Sequence, residues 1–261
     1  MADKLIVFSM NAQGLRDRSK REDVFDYLKS KKGHIYFLQD THFTDEDIKQ
    51  IYRETGMTVY LSNGNNYARG VATFIDKQID FKVKSLLKDE EGNMLIINCI
   101  IHNKDITLVN IYGPNQDKPE FYDHIRKILN GYNNCCIIAG DFNLVLNPHI
   151  DYMDYLHVNN PKARESVITV IQELDLIDCW RDIHVENKEF TWFKKNSNKK
   201  ARLDFFLISS PLLIYVKQCE ILPGYRSDHS LIKLFLEFGT FIKGRSYWKM
   251  NNYLLKDSHY I

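Results

Sequence analysis

The chain has 261 residues, of which 44% are hydrophobic and 26% charged, with 35 basic side chains against 34 acidic ones. This composition is typical of a soluble globular protein, and the length suits one large α/β domain or two small domains. Because the charges nearly cancel, a polyanion would have to be bound by a local basic cluster rather than by the field of the whole molecule.

The cysteines and the apolar segments exclude several other classes. The five cysteines are an odd set with no CxxC pair or paired histidines, so neither a zinc site nor a disulfide framework is indicated, and we expect reduced, mostly buried thiols. The amino terminus has too short an apolar stretch for a signal sequence, and nowhere do about 18 apolar residues run together. We therefore expect an intracellular protein that does not span a membrane.

Two strand–helix–strand units are predicted in chain order. Each has an apolar β-rich run, a helix with apolar residues at helical spacing, and a second apolar run. The first comprises a strand at 5–10, a helix around 24–28 and a strand at 35–38; the second comprises a strand at 106–111, a helix after Pro119 and a strand at 136–139. Each unit ends on a carboxylate, Asp40 or Asp141. We interpret the chain as two halves of analogous architecture.

Short strands and one further helix make up the rest of the prediction. The strands are at 58–61, 71–75, 81–87, 94–102, 190–193, 203–208, 216–222 and 231–238, and the helix is at 163–174. No linker of low complexity divides the chain, so a single domain of mixed sheets faced by helices is expected over residues 1–239. The strand rhythm breaks after Phe238, and we expect residues 240–261 to begin a linker.

Polar residues end apolar strands in four places. They are Asn11, Asp40, Asp141 with Asn143, and Asp228 with His229. Strand ends at one edge of an α/β sheet commonly form the functional site, because rigid strands hold the loops that carry it. Any single one of these residues could be a turn or cap residue. Their occurrence together with Tyr112 favours one shared site.

Six motifs in this order carry a family resemblance: SMNAQGL (9–15), LQDTH (38–42), NIYGPN (110–115), GDFN (140–143), RLDFFLIS (202–209) and SDHSLI (227–232). They resemble the endonuclease/exonuclease/phosphatase superfamily, which includes deoxyribonuclease I, apurinic/apyrimidinic endonucleases and the endonuclease domains of LINE-type (non-LTR) retrotransposons. The resemblance implies an α/β fold, a four-layered sandwich of two packed mixed β-sheets flanked by helices. It also implies a metal-dependent phosphodiesterase.

The resemblance implies a Mg²⁺ site, with Mn²⁺ as the other candidate cation. Asp40 and Asn11 would bind the ion, and Asp228 would assist the metal or the water. The family usually has glutamate where this chain has Asp40, so the carboxylate is one methylene further from the ion. Mg²⁺ demands near-ideal geometry, so the strand end would lie closer to the cation or a water would bridge the gap.

The resemblance also assigns catalytic roles. Asp141 would activate or orient the attacking water, and Asn143 and Tyr112 would contact the scissile phosphate. His229 would face a nonbridging phosphate oxygen, with Asp204 orienting its ring and favouring the protonated form. Which acid is the general base is left open, and Asp204 has an alternative role as the ion-pair partner of the nearby Arg202. Gln13 and Ser227 are as consistent with loop shaping as with function.

Two basic clusters flank these motifs. One follows the Asn11 loop (Arg16, Arg18, Lys20, Arg21), and the other surrounds a Ser/Asn turn (Lys194, Lys195, Lys199, Lys200, Arg202). From them we predict DNA contacts by Arg16 and by all five residues of the second cluster, although a solvated hairpin tip is the simpler alternative. The 147–160 segment contains His149, Asp151, Asp154 and His157 without metal-ligand spacing, and we interpret it as a polar surface loop that is a candidate for reading DNA.

The retrotransposon branch fits best, because FTWF (190–193) and the GRSYWKMNNYLL segment (244–255) resemble the region that joins a LINE endonuclease to its reverse transcriptase. The implied function is nicking of double-stranded target DNA to leave a 3′ hydroxyl that primes the reverse transcriptase domain of the same polyprotein. The domain would be a monomer that acts in the nucleus after cytoplasmic synthesis. The alternatives are an apurinic/apyrimidinic repair endonuclease, a phosphatase acting on a small or lipid phosphate, and a catalytically silent binding module.

Overall fold

The computed structural model describes residues 3–64, 68–154 and 159–239. In chain order, the strands of these segments are β1 (Asp3–Asn11), β2 (Ile35–Gln39), β3 (Thr58–Ser62), β4 (Val71–Ile75), β5 (Phe81–Lys88), β6 (Met94–Ile101), β7 (Lys104–Tyr112), β8 (Cys135–Asp141), β9 (Tyr152–Met153), β10 (Leu176–Asp178), β11 (Trp192–Phe193), β12 (Lys200–Ala201), β13 (Asp204–Ser209), β14 (Val216–Leu222) and β15 (Leu231–Phe238). The α-helices are α1 (Arg18–Ser30), α2 (Ile48–Thr55), α3 (Pro119–Leu129), α4 (Pro161–Glu173) and α5 (Cys179–Ile183). None of the described helices is both long and apolar enough to cross a membrane.

The strands form two six-stranded sheets and one small sheet. The first large sheet has the order β14-β15-β1-β2-β4-β3, the second β10-β13-β8-β7-β6-β5, and the small sheet β11-β12-β9. The two large sheets face each other across one buried apolar core. Helices α1 and α2 cover the outer face of the first sheet, and α3 and α4 cover that of the second. The predicted four-layered α/β sandwich is therefore confirmed.

Each large sheet contains one parallel strand pair at its centre. The β1–α1–β2 unit places Asn11 opposite Gln39, and the β7–α3–β8 unit places Tyr112 opposite Asp141. All other pairings are antiparallel. Because parallel strands end at the same edge, both units present their polar terminal residues at the carboxyl edge of their sheet. The two units predicted from the sequence thus occupy matching positions in the two sheets.

Single residues explain where α1 and α3, the helices of the two strand–helix–strand units, begin. The Asp17 side chain caps α1 by accepting a hydrogen bond from the Lys20 amide, and Pro119 opens α3, where a missing backbone N–H costs nothing. The sequence analysis did not predict helix α2, because this helix is short and buries only Ile51. The predicted strand at 190–193 is reduced to Trp192–Phe193, because Phe190 and Thr191 are buried in a non-repetitive segment beside the site.

Gly140, which opens the GDFN motif, has a role in strand packing. It lies within β8 at φ +146°, and a Cβ there would sit 1.9 Å from the Ile111 carbonyl oxygen. Only glycine fits, because the β7 and β8 backbones approach each other too closely for a side chain. The glycine therefore permits strand packing directly beneath Asp141.

Arg202 is buried, which leaves its side chain no surface for the predicted DNA contact. Its side chain is 1% exposed and donates hydrogen bonds to both carboxylate oxygens of Asp151 and both of Asp178, at 2.7–3.1 Å. Burial opposes the charge, but the two carboxylates raise the pKa of Arg202 above its ordinary value. Asp151 is fully buried and also pairs with Arg181, so it is not part of a polar surface loop as predicted. His157 lies outside the described residues.

All five cysteines are free thiols, and Cys99, Cys136, Cys179 and Cys219 are buried. Burial raises the pKa of Cys99 to about 12 and that of Cys136 to about 11. These thiols therefore stay protonated at neutral pH and serve as core residues.

The ion pairs of Arg202 with Asp151 and Asp178 lead to a prediction about stability. Arg202→Met should lower the free energy of unfolding by about 3–5 kcal/mol, because it leaves the Asp151 and Asp178 carboxylates without their shared cation. Urea denaturation measures the change, and Lys195→Ala, an exposed position on the neighbouring hairpin, should change it by less than about 0.5 kcal/mol. An Arg202→Met variant as stable as the wild type would show that the network does not hold this region.

Candidate active site

The strand ends of both sheets converge on one cavity of about 360 Å³. Its walls include seven of the eight predicted catalytic and metal-binding residues: Asn11, Asp40, Tyr112, Asp141, Asn143, Asp228 and His229. The eighth, Asp204, is buried behind His229. The residues come from six separate segments, and the sandwich brings them together because both parallel pairs end at the same side of the molecule.

The imidazole of His229 is buried between two carboxylates. Its Nδ1 lies 2.9 Å from Asp204 Oδ2, and its Nε2 lies 3.7 Å from Asp141 Oδ2. Strand pairing places Asp204 directly opposite Asp141, so β8 and β13 fix the two carboxylates side by side. The side chains of all three residues are at most 6% exposed. The ring therefore has a fixed orientation, with Nδ1 toward Asp204 and Nε2 toward the cavity.

The pKa values of His229 and Asp141 are both raised, for different reasons. Burial by itself lowers the pKa of His229, but the negative charges of Asp204 and Asp141 outweigh it and raise the pKa to about 9. Burial raises the pKa of Asp141 to about 6, although the charge of His229 opposes the increase. Near neutral pH, the geometry therefore favours an imidazolium that donates to Asp204 and keeps an Nε2–H for the cavity.

Asp141 is held by two amide groups. Its Oδ2 accepts a hydrogen bond from Asn11 Nδ2 at 2.9 Å, and its Oδ1 accepts from the Asn143 backbone N–H at 2.9 Å. Asn143 adopts the left-handed backbone region at φ +52°, and its side-chain Nδ2 donates to the Gly113 carbonyl. This bond uses one of the two amide hydrogens, so the second is available to a bound phosphate. Phe142, between them, points into the core and is 2% exposed.

Tyr112 stands at the end of β7 as the β-sheet partner of Asp141. Burial, and then the charges of Asp40 and Asp141, raise the pKa of its phenol above the ordinary value. The hydroxyl therefore stays protonated and is a hydrogen-bond donor toward the cavity.

The predicted cation ligands form a set of hard oxygen donors. Asn11 is the last residue of β1 and Asp40 follows the neighbouring parallel strand β2, and Asp228 faces the same cavity from the turn before β15. Asp228 Oδ2 accepts a hydrogen bond from Trp192 Nε1, whereas its buried Oδ1 accepts no hydrogen bond and lies 3.8 Å from His229 Nε2. A buried carboxylate oxygen without a donor and two further oxygen ligands suit a Mg²⁺ or Mn²⁺ ion that keeps several waters. The residues therefore fit such an ion.

Asp141, Asp204 and His229 are also close enough together to suggest a metal site, because one ligand atom of each lies within 4.8 Å of the others. The hydrogen bonds argue for a different role. Asp204 occupies the Nδ1 side of His229, and a protonated imidazole has no lone pair for a cation. These three residues are therefore better suited to proton transfer than to metal binding. Asp204 also makes no ion pair with Arg202, whose partners are Asp151 and Asp178.

Three supporting residues shape the loops around the site, and for Gln13 and Ser227 this is one of the two roles that the sequence left open. Thr191 is fully buried, and its hydroxyl oxygen accepts hydrogen bonds from the Leu203 and Asp204 amides, which fixes the start of β13. Ser227 donates to the Asn11 carbonyl oxygen, and Gln13 accepts from the Asp228 amide. Gln13 and Ser227 thus tie the first motif to the last. Thr191 lies in the FTWF stretch. Its supporting role was missed because the sequence of this stretch predicted a strand.

The lysines predicted to bind DNA belong to a hairpin beside the cavity. Lys194, Lys195 and Lys199 belong to the hairpin between β11 and β12, and Trp192 and Ala201 at its base line the cavity. Arg16 and the first two of these lysines are exposed, whereas Lys199 and Lys200 are half-buried. In the first cluster, Arg21 is instead buried and forms an ion pair with Glu54. The hairpin thus places basic charge next to the site.

The contact between His229 and Asp204 leads to a prediction about pH dependence. His229 should stay protonated through neutral pH and lose its proton as the pH rises through about 9. Asp204→Asn removes an adjacent negative charge and should lower this midpoint toward the ordinary value of about 6.5. NMR titration of the His229 ring measures the midpoint. Asp105→Asn, an exposed control on β7, should leave it unchanged, and an unchanged midpoint in Asp204→Asn would contradict the assigned role of Asp204.

Similar proteins include a transposon protein and several nucleases. The chain is 26% identical over 263 residues to the transposon TX1 uncharacterized 149 kDa protein of Xenopus laevis, covering 97% of this chain but only 20% of that protein. It is 21% identical to an exodeoxyribonuclease of Bacillus subtilis, covering 88% of this chain and 98% of that enzyme. The chain thus spans about one fifth of the length of the transposon relative.

Solved structures share the fold. The crystal structure of the AP endonuclease LMAP from Leishmania major superposes with a TM-score of 0.77 at 18% identity, over 90% of this chain and 88% of that one. The Xenopus laevis APE2 catalytic domain gives a TM-score of 0.74 at 20% identity, over 90% and 94% of the two chains. The family model described as "Endonuclease/Exonuclease/phosphatase family" matches residues 8–229. The chain therefore belongs to the endonuclease/exonuclease/phosphatase family.

Proposed function

We propose that this protein is a divalent-metal-dependent DNA endonuclease that hydrolyses a phosphodiester bond of double-stranded DNA. The observation that carries the proposal is the single cavity in which a buried imidazolium, a buried carboxylate and a set of oxygen ligands face one another. A phosphodiester is negatively charged and repels an attacking hydroxide, so its hydrolysis needs a base, a cation and donors to the developing charge. The cavity has residues suited to each task.

The carboxylate of Asp141 is the group that accepts a proton from the attacking water. Its raised pKa of about 6 makes it a stronger base than an exposed aspartate, yet leaves it mostly ionised near neutral pH. The hydrogen bonds from Asn11 and from the Asn143 amide fix its orientation. Asp141 can therefore hold the water in a single attacking direction.

Three donors face the place where phosphate charge develops. The Nε2–H of His229 is held toward the cavity by the bond from Nδ1 to Asp204, and the Tyr112 hydroxyl and the second Asn143 amide hydrogen complete the set. Because their orientation is fixed before the substrate binds, little reorganisation opposes the reaction. Asn11, Asp40 and Asp228 would hold Mg²⁺, or Mn²⁺ in its place, whose positive charge would stabilise the extra negative charge on the phosphate oxygens.

We further propose that the nick leaves a 3′ hydroxyl that primes reverse transcription, with the reverse transcriptase domain of the same polyprotein and double-stranded DNA as partners. The similarity to the transposon TX1 protein over 97% of this chain supports this role. On this proposal the protein acts in the nucleus as a monomeric endonuclease domain at residues 1–239, and residues 240–261 begin the linker. The linker, with the 244–255 segment, lies outside the described residues.

A substrate panel tests the activity. Supercoiled plasmid, intact and abasic oligonucleotide duplexes, and an inositol or lipid phosphate are each incubated with Mg²⁺, Mn²⁺ or EDTA. We expect nicking of undamaged plasmid with either metal and none with EDTA. Cleavage confined to the abasic duplex would instead identify a repair endonuclease, and phosphate release from the small substrate alone would identify a phosphatase.

Asp40 substitutions test the cation site. Asp40→Asn should lower the nicking rate on the order of 10³-fold, because a neutral amide loses several kcal/mol of charge stabilisation, whereas Asp40→Glu should keep activity. Plasmid nicking at saturating Mg²⁺ measures both variants. Asp45→Asn, an exposed control a few residues away, should match the wild type. Robust nicking by Asp40→Asn would remove this residue from the site.

The chemistry of the ends tests the priming role. Attack of water on the phosphorus with departure of the 3′ oxygen leaves a 3′ hydroxyl and a 5′ phosphate, and a polymerase extends such an end directly. We expect end-labelled product strands to be extended without phosphatase treatment. Strands extended only after removal of a 3′ phosphate would exclude the priming role, whatever the nicking rate.

A further inference from the structure

We propose that His42 is a positioning residue that orients the Asp40 carboxylate for the divalent cation. The imidazole Nε2 lies 3.0 Å from Asp40 Oδ1, and both side chains are mostly shielded, with exposures of 32% and 19%. This inference rests on the proposed metal-binding role of Asp40. It adds a residue that does not line the cavity itself.

The backbone around this pair is held from both sides. The Asp40 carbonyl oxygen accepts a hydrogen bond from the Gly14 amide at 2.6 Å, and the His42 amide donates to the Arg69 carbonyl oxygen at 2.8 Å. Asp40 and His42 both adopt the left-handed region, at φ +52° and φ +59°, which is uncommon for residues other than glycine. The conformation that brings the two side chains together is therefore fixed by the neighbouring loops.

The ring of His42 is also wedged against the loop that carries Asn11. A Cβ at Gly14 would lie 2.9 Å from His42 Nδ1 and 3.2 Å from its Cε1, so the imidazole packs directly on this glycine. Nδ1 then faces the Gly14 side, and Nε2 points at Asp40. The histidine thus bridges the loops after β1 and β2, which carry the two proposed cation ligands Asn11 and Asp40.

When one oxygen of the Asp40 carboxylate is engaged in a hydrogen bond, the cation is bound by the other oxygen alone. Asp40 is one methylene shorter than glutamate, so its carboxylate has fewer positions from which to reach a cation, and an error in its orientation is harder to correct. The contact between His42 Nε2 and Oδ1 leaves Oδ2 of Asp40, which lines the cavity, as the oxygen for the cation. Hydrogen-bond partners of metal ligands typically contribute about 10- to 100-fold in metal affinity.

Two amides of different length at position 42 test the proposal. Asparagine tolerates the left-handed conformation but is too short to place a donor where Nε2 lies, whereas glutamine reaches that place. We expect His42→Asn to weaken Mn²⁺ binding by about 10- to 100-fold and His42→Gln to restore most of it. Electron paramagnetic resonance of free Mn²⁺ measures the affinity without any nuclease assay. His124→Asn, on the exposed face of α3, is the control and should bind as the wild type does.

Kinetics gives a second readout. His42→Asn should need more Mn²⁺ for half-maximal nicking, yet approach the wild-type rate once the metal is saturating, with an unchanged urea midpoint. Wild-type affinity in His42→Asn, or tighter binding because the histidine competes with the cation, would overturn the proposal. If the wild type and Asp40→Asn bind Mn²⁺ equally, Asp40 is not a ligand and the proposed cation site itself fails, which separates the two conclusions.

Discussion

The candidate active site depends on an imidazole buried between the carboxylates of Asp204 and Asp141. Asp141 and Asp204 are almost fully excluded from solvent, and so is His229 between them. Two buried carboxylates in adjacent strands would repel each other strongly, and burial alone would favour their neutral forms. The imidazolium offsets both effects. Asp141, Asp204 and His229 therefore stay ionised only while they lie together. The chemistry thus requires the observed pairing of β8 with β13.

The same physical constraint shapes the surroundings of the site. Arg202 lies two positions before Asp204 in the sequence, but its charge is neutralised by Asp151 and Asp178 in a separate buried network. That network fixes the segment that leads into β13, and Thr191 fixes the first two amides at the strand start. The charges of Asp204 and Arg202, on the two sides of this segment, are thus paired independently, and Asp204 uses only its Oδ2 to bind His229. The arrangement leaves Asp204 free of arginine and available to His229.

Much of the fold, and the strand ends that form the candidate site, were predictable from the sequence. The strand–helix–strand units, their polar ends and the ordered motifs placed Asn11, Asp40 and Asp141 correctly at strand termini, because apolar runs and turn residues are local signals. The environments of Arg202 and Gly140 were not predictable. An arginine in a basic cluster has the same local pattern whether it is exposed or buried, and a glycine after an apolar run indicates a turn as readily as a close strand contact.

The sequence by itself determined which groups the protein has for chemistry, the alternation of elements that forms a layered α/β sandwich, and the family to which it belongs. The tertiary structure decided which groups share one cavity, which charges are buried and how they are protonated. His229 becomes a stronger base mainly because Asp204 and Asp141, far away in the chain, lie against its ring, with a smaller contribution from its neighbour Asp228. Such shifts arise from distance and solvent exclusion, and neither is encoded in any local stretch of residues.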